Sequence, residues 1–143
     1  MIKPLALTLL FTLSCNLLLS VAVGATSLDD LDEDEREVDL TSVVVTALPC
    51  AQRTLKTGLF RHISNCSPVE SIIGRVLFDV VERKIYLVDS KSIPNYKLDQ
   101  AFGGGSVDIE GEITGFRDGF PVITAEEFTV IARPKPGAFK GCL

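Results

Sequence analysis

Residues 106–132 read SVDIEGEITGFRDGFPVITAEEFTVIA. Apolar and polar residues alternate from Val107 to Gly115, Asp118-Gly119 intervenes, and a β-branched run resumes after Pro121. Alternation at period two puts Val107, Ile109, Gly111, Ile113 and Gly115 on one strand face and Asp108, Glu110, Glu112 and Thr114 on the other. An Asp-Gly pair between two such runs suits a tight hairpin turn, because glycine accepts a positive φ. Ala125-Glu126-Glu127 then interrupts the alternation as a bulge or a strand break does. The stretch predicts a long hairpin against which the remaining chain packs.

Upstream, three more strands are expected. Leu40–Leu48 (LTSVVVTAL) is β-branched and apolar and stops at Pro49. Glu70–Val81 (ESIIGRVLFDVV) places Ile72, Gly74, Val76, Phe78 and Val80 on one face and Ile73, Leu77 and Val81 on the other, the pattern of a strand buried on both sides for part of its length. A turn at Glu82-Arg83 leads to Lys84–Asp89 (KIYLVD), its hairpin partner. The Cys50–Pro68 segment has no clean period and reads as an irregular loop holding at most a helical turn. Pro94-Asn95 starts a helical turn through Tyr96, Leu98 and Ala101, which Gly103-Gly104-Gly105 ends. No internal repeat or second domain is visible.

Three strands, a short helix and a closing hairpin resemble the OB-fold, a small Greek-key barrel. The phrases VDIEGEITG and PVITAEEFTVI are similar to the closing strands of secreted OB-type domains, and Gly74, Gly111 and Gly115 suit strands that must coil sharply. The resemblance spans Leu40–Ala132. It implies a mainly β, five-stranded OB-like barrel with one short helix, and it carries no functional residues, since such barrels bind many things. A half-open β-sandwich or an α+β roll is the alternative.

The N-terminus, MIKPLALTLLFTLSCNLLLSVAVGA, has one cation, Lys3, before an uncharged apolar run that ends in small residues. Val23 and Ala25 occupy the −3 and −1 places of a signal-peptidase site, so residues 1–25 are expected to be cleaved. The rival is an uncleaved anchor, since the run is long enough to span a bilayer. Both place the domain outside the cytoplasm, secreted or periplasmic, and cleavage leaves no membrane span. Three cysteines then remain, Cys50, Cys66 and Cys142. In an oxidising compartment that means one disulfide and one free or intermolecular thiol. Cys50–Cys66 closes the shortest loop and is the expected bridge. Cys142 could pair with either or link two copies of the chain.

Charge is distributed unevenly. Residues 26–39 hold eight acids against Arg36 alone, which predicts a disordered acidic arm ahead of a single domain at 40–143. From residue 40 onward eleven acidic and twelve basic side chains nearly balance, and no acid lies between Asp39 and Glu70. Arg53, Lys56, Phe60, Arg61 and His62 in that interval make a basic loop suited to an anionic ligand or protein partner. The near-neutral domain argues against a dedicated nucleic-acid binder. The acidic arm is expected to lie over the basic loop and compete with its partners.

No catalytic arrangement stands out. His62 is the sole histidine, and Cys50 and Cys66 are better explained as a disulfide than as nucleophiles beside it. No zinc, phosphate-loop or triad motif occurs, and no cofactor is implied. Asp108, Glu110 and Glu112 line one strand face with neighbours about 7 Å apart, which suits a solvated surface and, as the alternative, a metal or glycosidase site. The sequence therefore points to an exported, non-enzymatic binding or structural module. A secreted hydrolase or metal-binding domain built on the Asp108–Glu112 face is the other reading.

Overall fold

A computed structural model describes residues 27–134. The expected leader over 1–25, its cleavage site and Cys142 lie outside the described residues. The chain is mainly β: a mixed five-stranded sheet with a few short helices. In order come a 3-10 turn (Leu28–Asp30), α1 (Glu33–Arg36), β1 (Glu37–Ala47), α2 (Leu48–Thr57), α3 (Arg61–Ser64), α4 (Pro68–Ile72), β2 (Arg75–Asp79), β3 (Lys84–Val88), α5 (Asn95–Leu98), β4 (Ser106–Arg117) and β5 (Phe120–Ala132).

The opening hairpin forms as expected. Asp118 and Gly119 both have positive φ (54° and 81°), and Arg117 faces Phe120 across the turn. Glu127 faces Glu110 while Ala125 faces Gly111, so Glu126 is the extra residue of a bulge. At Gly111 the two backbones come so close that a Cβ would run into the Thr124 carbonyl and lie 2.8 Å from the Ala125 Cα. Only glycine fits there.

β1 is antiparallel to β2 and to β4, β2 is antiparallel to β3, and β3 meets β5 in parallel through Leu87–Val122 and Val88–Ile123. The β4–β5 hairpin completes the order β1-β2-β3-β5-β4, which returns to β1. Leu40, Val43, Val45, Leu77, Tyr86, Val107, Ile109, Ile113 and Ile123 fill the inner side with Ile93, Leu98 and Phe102 from the segment around α5. Burying a large apolar side chain stabilises by about 1.5–3 kcal/mol, so this cluster is the principal source of stability.

A second apolar layer lies on the other face. Val76, Phe78, Ile85 and Leu87 pack with Ala51 and Ile63, and Leu48 and Leu55 join them. Leu48, Ala51 and Leu55 recur at helical spacing along one side of α2. The strand prediction of two buried faces therefore holds from Val76 to Phe78, but its ends do not: Ile72 and Val81 are 81% and 87% exposed.

Three local expectations are corrected. The Cys50–Pro68 segment is not an irregular loop but carries α2 and α3. Pro49 sits in the first turn of α2, where its missing N–H costs nothing. Gly58 ends that helix at φ 70° with its N–H donated to the Thr54 carbonyl at 2.8 Å. Residues 70–72, expected to begin a strand, are helical within α4 because Ser67 and Glu70 form a capping box: Glu70 N–H donates to Ser67 Oγ at 3.2 Å and Ser67 N–H to Glu70 Oε2 at 2.9 Å. Gly74 consequently precedes β2 instead of coiling it.

The acidic segment differs most. Residues 28–39, expected to be disordered, form the 3-10 turn, α1 and the first residues of β1. Leu28, Leu31 and Val38 pack against the inner cluster, and Arg36 Nη2 donates to the Leu28 carbonyl at 2.9 Å. Three apolar anchors and one internal arginine overcome the repulsion that a charge count alone registers.

Candidate functional site

Glu37-Val38-Asp39-Leu40 already alternates at strand period, Val38 and Leu40 inward and the acids outward. β4 does the same with Ile109 inward and Glu110 and Glu112 outward. Pairing β1 with β4 therefore sets acid against acid: Glu37 faces Glu112, and Asp39 faces Glu110. The bulge at Glu126 restores the phase of β5, so that Glu127 faces Glu110 from the other side. Asp39, Glu110 and Glu127 form a single rung across three strands, with directly opposed Cβ atoms about 5 Å apart.

α1 closes this surface into a groove of about 810 Å³, lined by Glu33, Asp34, Arg36, Glu37, Val38, Asp39, Glu110, Gly111, Glu112 and Glu126. Seven of those side chains are carboxylates and one is a cation. Arg36 is turned to the backbone beneath, and its Nε is buried without a partner among the described residues. Among the described residues the ion pairs are Arg53–Glu70 and Arg75–Asp99, neither of which touches the groove. Like charges placed opposite each other destabilise a sheet. Here, among the described residues, three such pairs stand without an ion-paired cation.

The predicted strand-face acids thus part company. Glu110 and Glu112 line the groove, whereas the Asp108 carboxylate accepts the Ser42 N–H at 2.7 Å. Ser42 has φ 55° and sits where the β1–β4 register shifts between Leu40 and Val43, so Asp108 holds a bulge in place. Among the described residues no group of three metal-ligating side chains converges, and His62 does not line the groove. The missed members are Glu33, Asp34, Glu37, Asp39 and Glu126. The alternation of Glu37 to Leu40 was the available signal for two of them.

The basic residues are placed elsewhere. Lys56 lies in the last turn of α2, while Phe60, Arg61 and His62 lie at the start of α3, which packs on α2. Lys56 and Arg61 are exposed, Phe60 is 55% exposed and His62 is half-buried. Arg53 is drawn away from them, because its guanidinium is ion-paired with Glu70 on α4. The acidic arm does not cover this corner: its 3-10 turn packs on β4 and α1 on β1 and β4, a correction that follows from where Leu28 and Leu31 find apolar cover.

Cys50 and Cys66 are joined with an S–S distance of 2.05 Å and a Cα–Cα distance of 5.8 Å. The bridge is intramolecular and ties the first turn of α2 to the segment before α4, with Thr46 Oγ1 donating to the Ile63 carbonyl at 2.8 Å beside it. Tyr86 is buried inside the sheet. Burial raises the pKa of its phenol, and Asp79 and Glu82 raise it further. Among the described residues no helix is long and apolar enough to cross a membrane.

Compared with known proteins, the chain matches no family model, no curated protein and no solved structure.

Proposed function

We propose that this chain is an exported, non-enzymatic binding module, an OB-like barrel whose acidic groove receives a cationic segment of a protein partner. The observation that carries the reading is the groove itself, with seven carboxylates, one backbone-bound arginine and opposed acids on neighbouring strands. An arrangement that lowers the stability of the free protein fits a surface whose countercharge arrives with a ligand.

The strand order β1-β2-β3-β5-β4, with α5 between β3 and β4, supports the OB-type reading. Such barrels present the face of strands 2 and 3 to oligonucleotides or oligosaccharides. Here α2 and α3 cover that face with Leu55, Ala51 and Ile63. The cover favours another surface and speaks against nucleic acid. Export is supported by the apolar leader ahead of Ala25 and by the Cys50–Cys66 bridge. An anionic ligand on Lys56, Arg61 and His62 has less behind it, since Arg53 is already engaged by Glu70.

The test is calorimetric titration with octalysine, octaglutamate and a heparin fragment. Octalysine binds at low salt, weakens steeply as salt rises, and loses affinity to the double variant Glu110→Lys/Glu112→Lys. Heparin binding without octalysine binding would transfer the site to the α2–α3 corner and overturn the proposal.

A further inference from the structure

β4 has a neighbour on each side over the acidic rungs, β1 on one and β5 on the other. β5 does not. Its pairing with β3 ends at Ile123, and Ala125 N–H is taken up by Ser92 Oγ at 3.1 Å. From Glu127 to Val130 it runs in register with β4, and no described strand pairs with its other side. Among the described residues, no strand meets the polar backbone groups of that side.

The open edge lacks two of the usual protections, lysine and proline. Residues 127–132 read EFTVIA, without lysine or proline, whereas natural edges are commonly blunted by such residues. Phe128 and Val130 are half-buried against the inner cluster, while Glu127 and Thr129 are exposed on the groove side. Ala125 directs its N–H away from β4, and counting on through the bulge turns the backbone groups of Phe128 and Val130 outward as well.

We infer that the open edge of β5 from Glu127 to Val130 accepts an extended peptide as an added strand. Its alternate side chains are apolar on the inner side and cationic on the groove side. The inference rests on the acidic-groove reading for the sign of the ligand's charge and on the edge for its conformation. Main-chain hydrogen bonds supply affinity in such strand addition, and alternate side chains supply specificity. Glu127 would then face a cation of the added strand and complete the Asp39–Glu110–Glu127 rung. A second copy of this chain is the poorer occupant, because pairing β5 with β5 brings two sets of Glu126 and Glu127 together.

The experiment compares the capped peptide VKVKVKV with two forms N-methylated at alternate residues, which keep charge and sequence but block one edge or the other. The unmodified peptide binds, and one methylated register binds about tenfold more weakly or worse for want of its hydrogen bonds. Amide exchange at Phe128 and Val130 slows on binding. Equal affinity for all three peptides overturns strand addition while leaving the acidic groove as the binding site. Binding of octalysine but not of VKVKVKV does the same. Failure of every cationic peptide removes both proposals, and a concentration-dependent dimer protected at Phe128 and Val130 would assign the edge to a second copy.

Discussion

The Glu110→Lys variant tests whether the opposed acids carry a real cost. Glu110 faces Asp39 on one side and Glu127 on the other, and all three are exposed. Two unit charges about 6 Å apart in water interact by about 0.7 kcal/mol, which screening near 0.1 M salt reduces to about 0.4 kcal/mol. Lysine at 110 converts two repulsions into two attractions, so the change is about 1.5 kcal/mol in favour of the folded state. For a domain of this size that corresponds to a rise in Tm of roughly 5–10 °C. Glu110→Gln removes the repulsions without adding attraction and gains about half as much. Urea and thermal unfolding at low, intermediate and roughly molar salt measure all three proteins. The lysine variant's advantage shrinks toward zero at the highest salt, where the screening length falls to about 3 Å. A variant no more stable than the parent at low salt, or an advantage indifferent to salt, refutes the charge argument.

Two other perturbations probe the scaffold. Gly111→Ala drives a methyl group into the Thr124 carbonyl at the β4–β5 bulge, and a loss of about 1–3 kcal/mol is expected from strain of that kind. Chemical denaturation reads it, and Gly115→Ala, where a Cβ meets nothing within 4 Å, is the control. Tyr86 links stability to alkaline pH. Its phenol has a raised pKa in the fold through burial first and then Asp79 and Glu82. The neutral form is therefore favoured on folding, and the contribution is complete below the unfolded value near pH 10. It is lost as pH climbs from there through the folded pKa. Phenolate absorbance from Tyr86 is expected to rise together with unfolding, and Tyr86→Phe removes that component. A Tyr86 that titrates near pH 10 with the fold intact would contradict this.

The hairpin was legible because it depends on neighbours in sequence. Alternation fixed which of Val107, Ile109 and Ile113 turn inward, and Asp118-Gly119 supplied a turn that few other pairs adopt. The helices were legible in part. Pro49 and Gly58 bracket α2, and Ser67-Pro68-Val69-Glu70 is a capping box, so both starts are written locally. They were obscured because apolar residues in β2 lie within a longer run that reads equally well as strand. Nothing local distinguishes Ile72, which is exposed, from Phe78, which is buried.

The acidic site divides along the same line. The sequence alone determined that residues 29–39 are densely acidic and that Asp108, Glu110 and Glu112 share a face, since both follow from composition and a two-residue period. It also singled out Cys50 and Cys66 as the closest pair available for a bridge. Only the tertiary structure decided that the acidic segment joins β4 and is ordered by Leu28, Leu31 and Arg36. Only there does Glu110 meet Asp39 and Glu127, and Asp108 turn aside to Ser42. Register between strands distant in the chain depends on bulges and packing over the whole sheet, and a charge pattern read along one strand cannot specify what stands across from it.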